Sequence, residues 1–294
     1  MFNLQTIYSK GFNIVELSNQ EKTILARFYP DLGGSIQSLV LEGKMIIDDV
    51  APLAYEDTFA SSVLFPFVNR ITNGTYEFRG KTYQLECNEK GANNALHGHV
   101  YNKTFQLAGS QLDTDTGTLA FKYLHDGKTK GFPFRYSIEL VYMVSKGVFR
   151  LKVIIKNLDE RSFPFTTGWH PYFNSADLFN SSLGFKGSDE LSIDPRDSKV
   201  QETTTMAIRD KKLDHAFSLF SRKIEFVTPE YRLSIWSRHD TRFFQLFTPK
   251  KPNVIAIEPM TGVANSFGNG LGLQILDPGG IYETEWGLNV TETL

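Results

Sequence analysis

The sequence predicts an all-β chain, a large antiparallel β-sandwich with few short helices, and three observations carry that prediction. Apolar residues recur with period two in segment after segment, the pattern of strands with one buried face. No segment keeps helical periodicity over more than about two turns. The 23 glycines and 12 prolines of this 294-residue chain are spread as turn punctuation rather than gathered in a linker. So many strands in one flat sheet would curl or split, so two large packed sheets are expected. With no repeat and no low-complexity tract, residues 1–294 read as one domain.

In chain order, strands are expected over Thr23–Phe28 and Ser35–Leu41, and a short helix over Tyr55–Val63. A hairpin follows, Thr75–Phe78 with Thr82–Leu85 across Arg79-Gly80-Lys81. Leu119–Leu124 is a further strand. The clearest pair is Arg135–Val144 with Phe149–Ile155. Tyr136, Ile138, Leu140, Tyr142 and Val144 share one face of the first, Ser145-Lys146-Gly147 makes the turn, and Arg150 and Lys152 point away from Phe149, Leu151 and Val153 in the second. Lys223–Val227 with Tyr231–Trp236, then Arg242–Phe247 and Asn253–Glu258, complete the set.

Charge and cysteine usage exclude several classes of function. The net charge is -2 with both signs interspersed, which offers no electrostatic case for nucleic acid or an anionic membrane surface. A small, nearly neutral ligand is expected instead. Cys87 is the one cysteine, so neither an intramolecular disulfide nor a cysteine zinc site can form. The N-terminus Met1-Phe2-Asn3-Leu4 lacks a basic region followed by an apolar run, and no stretch approaches the ~18 apolar residues of a membrane span. A soluble, cytoplasmic protein is the expectation.

Four places stand out from the alternation. In Thr167-Gly168-Trp169-His170-Pro171-Tyr172-Phe173, Gly168 loosens the backbone and Pro171 removes a donor, so His170 sits at a forced corner rather than in mid-strand. The aromatic neighbours suit a sugar face and a packed core equally. In Ile255-Ala256-Ile257-Glu258-Pro259, an apolar strand ends in a carboxylate, which is either paired or kept for chemistry. Leu64-Phe65-Pro66-Phe67-Val68-Asn69-Arg70 brings a guanidinium to the end of a buried run, where it needs an anion or hydroxyl partners; a structural salt bridge is the plain alternative. Asn93-Asn94-Ala95-Leu96-His97-Gly98-His99 is a polar loop with two histidines two apart. No carboxylate follows His99 closely and Lys103 does, so no metal is expected there. No glycine-framed serine elbow and no phosphate loop opening a helix is present. His215 and His239 read as ordinary surface or core histidines, and His125 as a turn residue before Asp126-Gly127.

Taken together, Asn69-Arg70-Ile71, Leu96-His97-Gly98, His170-Pro171-Tyr172-Phe173-Asn174, Leu213-Asp214-His215-Ala216-Phe217, Glu258-Pro259 and Leu276-Asp277-Pro278-Gly279 resemble the aldose 1-epimerase (galactose mutarotase) family. Order and approximate spacing match from about Thr23 to Leu288. The resemblance implies a supersandwich of strands and a cofactor-independent exchange of the α and β anomers of a free aldose. It assigns Glu258 as the base at the anomeric hydroxyl and His170 as the acid at the ring oxygen. Arg70 and His97 match positions that hold the sugar near that oxygen, Asp214 matches one that accepts from sugar hydroxyls, and Gln245, Asn69 and Tyr172 match further binding positions. The implied partner is a monosaccharide, with the chain a monomer or homodimer. Hemiacetal opening needs one proton removed and another supplied, which a carboxylate and an imidazolium on opposite sides of the anomeric centre can do.

Two departures from the family pattern bear on specificity. The usual His-Gly-Gly reads His97-Gly98-His99, and Glu258-Pro259-Met260-Thr261-Gly262 differs from the galactose enzymes, so galactose is not implied. Two other readings stay open: a hexose-6-phosphate 1-epimerase on the same fold, which needs a second Arg/Lys cluster drawn from residues such as Arg79, Lys81 or Lys103, and a carbohydrate-binding module without catalysis.

Overall fold

The computed structural model describes residues 1–9, 11–89, 91–188, 204–238 and 241–292. The strands begin with β1 Phe2–Ser9, β2 Phe12–Asn19, β3 Leu25–Tyr29, β4 Ser35–Leu41, β5 Lys44–Ile47, β6 Val63–Leu64 and β7 Arg70–Ile71. The hairpin β8 Thr75–Phe78 and β9 Lys81–Gln84 follows, then β10 Ala95–Leu96, β11 Gln106–Leu112, β12 Thr116–Asp126, β13 Arg135–Ser145 and β14 Val148–Asn157. Beyond lie β15 Phe163–Phe165, β16 Gly168–Trp169, β17 Tyr172–Asn174, β18 Ser182–Ser188, β19 Thr204–Ala207 and β20 Asp214–Val227. The last are β21 Arg232–Ser237, β22 Phe243–Phe247, β23 Val254–Met260, β24 Gln274–Leu276 and β25 Ile281–Thr291.

Antiparallel pairing runs without a break from β1 through β2, β3, β4 and β5 to β17, β23, β22 and β20. It continues through β21, β25, β14, β13 and β12 to β11. The turning point is β20: its first residues pair with β22 and its last with β21, so one long strand carries the chain from one layer to the other. The layers meet through aromatic rings, with Phe28 of β3 at 4.7 Å from Tyr142 of β13 and Phe149 of β14 stacked at 5.5 Å on Trp169. Among the described residues this is the large antiparallel β-sandwich that the alternation predicts.

The β13–β14 hairpin turns on Lys146-Gly147, with Ser145 opposite Val148 and Gly147 at φ 63°, and β8–β9 turns on Arg79-Gly80. Three expectations are corrected. The helix spans only Tyr55–Thr58, because Phe59 takes a left-handed conformation and caps it. His125 lies inside β12 rather than in a turn, 2% exposed, with its ring nitrogens on the Phe134 carbonyl and the Thr129 hydroxyl. Strand β23 continues through Pro259 to Met260, so Glu258 is not its last residue. Strand β11, exposed along its whole length, carries no apolar alternation and so gives no sequence signal. Among the described residues no helix is long and apolar enough to cross a membrane. His239 lies outside the described residues.

Candidate functional site

The site is a row of side chains laid across strands. Strand β16 pairs Gly168 with Met260 of β23, and β17 pairs Tyr172 with Ala256. Both pairings keep one register, so residue 170 stands opposite residue 258 although the ladder is broken between them. Pro171 has no N–H to donate, and His170 turns its own backbone to another partner: its N–H donates to the Ser62 carbonyl and its carbonyl accepts from the Ser61 N–H. The corner expected at His170 is therefore a cross-strand neighbour of Glu258, and cross-strand side chains on one face touch. The next strand adds Gln245 opposite Glu258, and Asp214 enters from the start of β20.

His170 Nε2 lies 3.4 Å from Glu258 Oε1, with the two side chains 6% and 2% exposed. They stand side by side, not on opposite sides of a sugar-wide gap, because strand register sets their separation. Among the described residues the far atoms, His170 Nδ1 and Glu258 Oε2, have no hydrogen-bond partner, an expensive state for buried polar atoms unless a ligand completes it. Burial drives both groups towards their uncharged forms. Desolvation lowers His170 to about 3. Desolvation also holds the Glu258 carboxyl well above the usual range; the Asp214 charge adds to that and Arg70 opposes it. Of the two ways to place one proton on the pair, burial therefore favours the uncharged one, with the carboxyl protonated and the imidazole neutral.

A chain of polar contacts borders this pair. Gln245 Nε2 donates to Asp214 Oδ1 at 2.7 Å, and Asn69 Nδ2 donates to Gln245 Oε1 at 3.5 Å. Arg70 Nη1 donates to Asn69 Oδ1 at 3.0 Å. Gln245 and Asn69 are buried, Asp214 is exposed and Arg70 half-buried, so the row of contacts dips inward at its middle. His97 closes another side, its ring centroid 5.1 Å from that of His170 at 78°. Its Nδ1 accepts from the Asn69 N–H at 3.3 Å, which leaves Nε2 as the nitrogen carrying the proton. Burial, with His170 and Arg70 nearby, holds His97 well below the usual imidazole range. Tyr172 meets the site through its ring, stacked on His170 at 5.1 Å, while its hydroxyl donates to the Thr58 carbonyl.

The loop geometry explains how His97 and Asn69 reach these places. Both adopt left-handed backbone, φ 58° and 52°, uncommon outside glycine, and they bond each other: the His97 N–H donates to the Asn69 carbonyl at 3.0 Å. Gly98 follows at φ 73°, and a Cβ there would lie 2.1 Å from the Phe65 carbonyl oxygen, so no other residue fits. His99 turns the other way, its Nε2 2.9 Å from the Tyr136 hydroxyl, so the two histidines of the loop do not share a ligand. Among the described residues no three His, Cys, Asp or Glu side chains cluster as a metal site.

Two residues here carried no sequence signal. Phe59 packs its ring 4.8 Å from His97, and Glu89 holds Arg70 Nε at 2.7 Å. Phe59 lies in a segment expected to be helical, and Glu89 in an aperiodic polar run. Conversely Asp277, part of a matched motif, lies elsewhere and braces β15 by accepting from the Ser162 hydroxyl at 2.7 Å. His215 is exposed, its Nδ1 accepting from the Asp214 N–H.

Comparison with known proteins adds four findings. The family model described as aldose 1-epimerase matches residues 14–288. YihR of Escherichia coli K12, an uncharacterized protein, is 24% identical over 265 residues, 84% of each chain. Among solved structures, a galactose mutarotase-like protein of Clostridium acetobutylicum superposes with a TM-score of 0.82 at 19% identity, covering 100% of this chain and 99% of that one. A galactose 1-epimerase of Lactobacillus acidophilus gives 0.76 at 15% identity, covering 100% and 99%. At these identities the structural likeness speaks for the fold.

Proposed function

The chain belongs to the aldose 1-epimerase family, and from that premise we propose that it interconverts the α and β anomers of a free aldose by acid–base ring opening and closure. The observation that carries the reading is the buried His170–Glu258 contact of 3.4 Å, in which each side chain keeps a polar atom unpartnered among the described residues. The anomeric hydroxyl and the ring oxygen are bonded to one carbon, so two adjacent catalytic groups can serve both oxygens.

The shared proton decides the roles. Passing it from Glu258 to His170 gives a carboxylate and an imidazolium without changing the charge of the pair, and Arg70 favours that carboxylate. The carboxylate then takes the proton of the anomeric hydroxyl while the imidazolium protonates the ring oxygen. The C1–O5 bond breaks and the open-chain aldehyde forms. After rotation about C1–C2, O5 closes on the other face with each proton retraced. Arg70, His97, Asn69, Gln245 and Asp214 supply donors and acceptors for sugar hydroxyls, and the Tyr172 ring holds the imidazole. The proposed partner is a monosaccharide, with no metal or nucleotide taking part, in the cytoplasm.

Polarimetry of freshly dissolved α-glucose and α-galactose tests this directly. Wild type should speed the approach to anomeric equilibrium and Glu258→Gln should not. A wild-type rate no faster than buffer on every aldose tried defeats the proposal.

A further inference from the structure

Arg70 does not meet the site as a free cation. Its Nε donates to Glu89 Oε1 at 2.7 Å and its Nη1 to Asn69 Oδ1 at 3.0 Å. Glu89 is itself fixed: its Oε2 accepts from Asn94 Nδ2 at 2.7 Å, and its backbone N–H donates to the Asn94 carbonyl. The loop carrying it is tied to the strand pair that presents Arg70, because Leu96 of β10 stands opposite Arg70 of β7. The guanidinium is thus locked at two donors, with its charge balanced by a carboxylate 18% exposed.

We propose that Glu89 is the positioning residue for Arg70 and, by balancing its charge, selects an uncharged sugar over a sugar phosphate. The inference rests on the anomerase reading and sharpens it. Arg70 is the cation that acts on both His97 and Glu258 among the described residues, and Asp214 adds an anion at the same place. A phosphate carries about -1.5 to -2 charges at neutral pH. Beside a guanidinium already paired with Glu89, such a group finds no unbalanced positive charge. Removing the Glu89 charge leaves one, and lets the guanidinium swing to meet it.

The experiment compares wild type, Glu89→Gln, Arg70→Gln and the double variant, using NMR anomer exchange on the aldose that wild type turns over fastest. Glucose 6-phosphate serves as competitor in the assay and as ligand in direct titration. Glu89→Gln should lower kcat/KM about tenfold and tighten glucose 6-phosphate about tenfold, both effects vanishing in the Arg70→Gln background. Glu89→Asp, which keeps the charge but shortens the reach, should lose kcat/KM without gaining affinity for the phosphate. It serves as the second reading if Glu89→Gln does not fold. Unchanged kcat/KM and unchanged phosphate affinity in Glu89→Gln overturn the inference, as does an equal loss with and without Arg70. A wild type inactive on all aldoses defeats the anomerase reading alone, because the titration still reports whether Glu89→Gln gains affinity for glucose 6-phosphate.

Discussion

His170 and Glu258 are cross-strand neighbours in a ladder that Pro171 interrupts, with Nε2 3.4 Å from Oε1. Groups that share one proton act as a unit. Glu258→Gln and His170→Asn should each lower kcat by about 10²–10⁴-fold, and the double variant should fall little below the worse single one. Anomer exchange measured for all three proteins checks this; strictly multiplicative losses would show that the two groups act apart.

The pH profile of kcat/KM reports the free enzyme's titrating groups. Desolvation first, then the Asp214 charge, raises the Glu258 carboxyl, and Arg70 lowers it. The pair loses its proton as pH rises through that raised value, so activity falls on the alkaline side. Asp214→Asn removes a cause of the upward shift and should move the alkaline limb to lower pH, whereas Arg70→Gln should move it higher. The readout is the position of the limb, not the height of the plateau, which either variant can lower by weakening sugar binding. Limbs that coincide with wild type in both variants would count against the coupling.

Acid stability follows from buried imidazoles. Desolvation by burial, then the charges of His125 and Lys103, lowers His99 to about 3, while an unfolded imidazole titrates near 6.5. Between those values the unfolded chain holds a proton that the folded chain lacks. The contribution of His99 is therefore intact above pH ~6.5 and is lost as pH falls towards 3. His97, His125 and His170 are shifted the same way. His99→Gln keeps a partner for the Tyr136 hydroxyl and removes one titrating group. It should lose about 1–2 kcal/mol less than wild type between pH 6.5 and 5, as read from chemical denaturation at the two pH values. Equal losses would refute the assignment.

Gly98 is irreplaceable on two counts, its φ of 73° and the Phe65 carbonyl 2.1 Å from where a Cβ would sit. Gly98→Ala should cost more than about 3 kcal/mol. Gly43→Ala, at φ 72° with nothing within 4 Å, should cost about 1–2 kcal/mol. The comparison of melting temperatures separates the clash from left-handed strain alone; similar losses would mean that the loop gives way.

Much of the scaffold was legible in the chain because strand alternation and turn chemistry are local. Tyr136 to Val144 alternate and the Lys146-Gly147 turn sets the register of that hairpin, with no help from distant residues. The break in the ladder at His170 was partly local, since Pro171 has no N–H to offer, but Gly168 makes no corner there: it lies within strand β16, paired with Met260 and Leu64. Where local pattern was weak it misled: the Tyr55–Val63 segment is helical for only four residues, because Phe59 adopts a left-handed backbone and caps the helix, its N–H donating to the Tyr55 carbonyl. Likewise the exposed strand β11 showed no alternation, having no buried face to impose it.

By itself, then, the sequence determined which residue types carry proton chemistry, where hairpin turns fall, and that the chain must pair its strands antiparallel. Tertiary structure alone decided that residue 170 faces residue 258, that Gln245 lies beside them, and that Glu89 holds Arg70. The reason is physical: register between strands far apart in the chain, and the burial that shifts a proton's preference, are properties of the packed sheets. No window of sequence contains both partners.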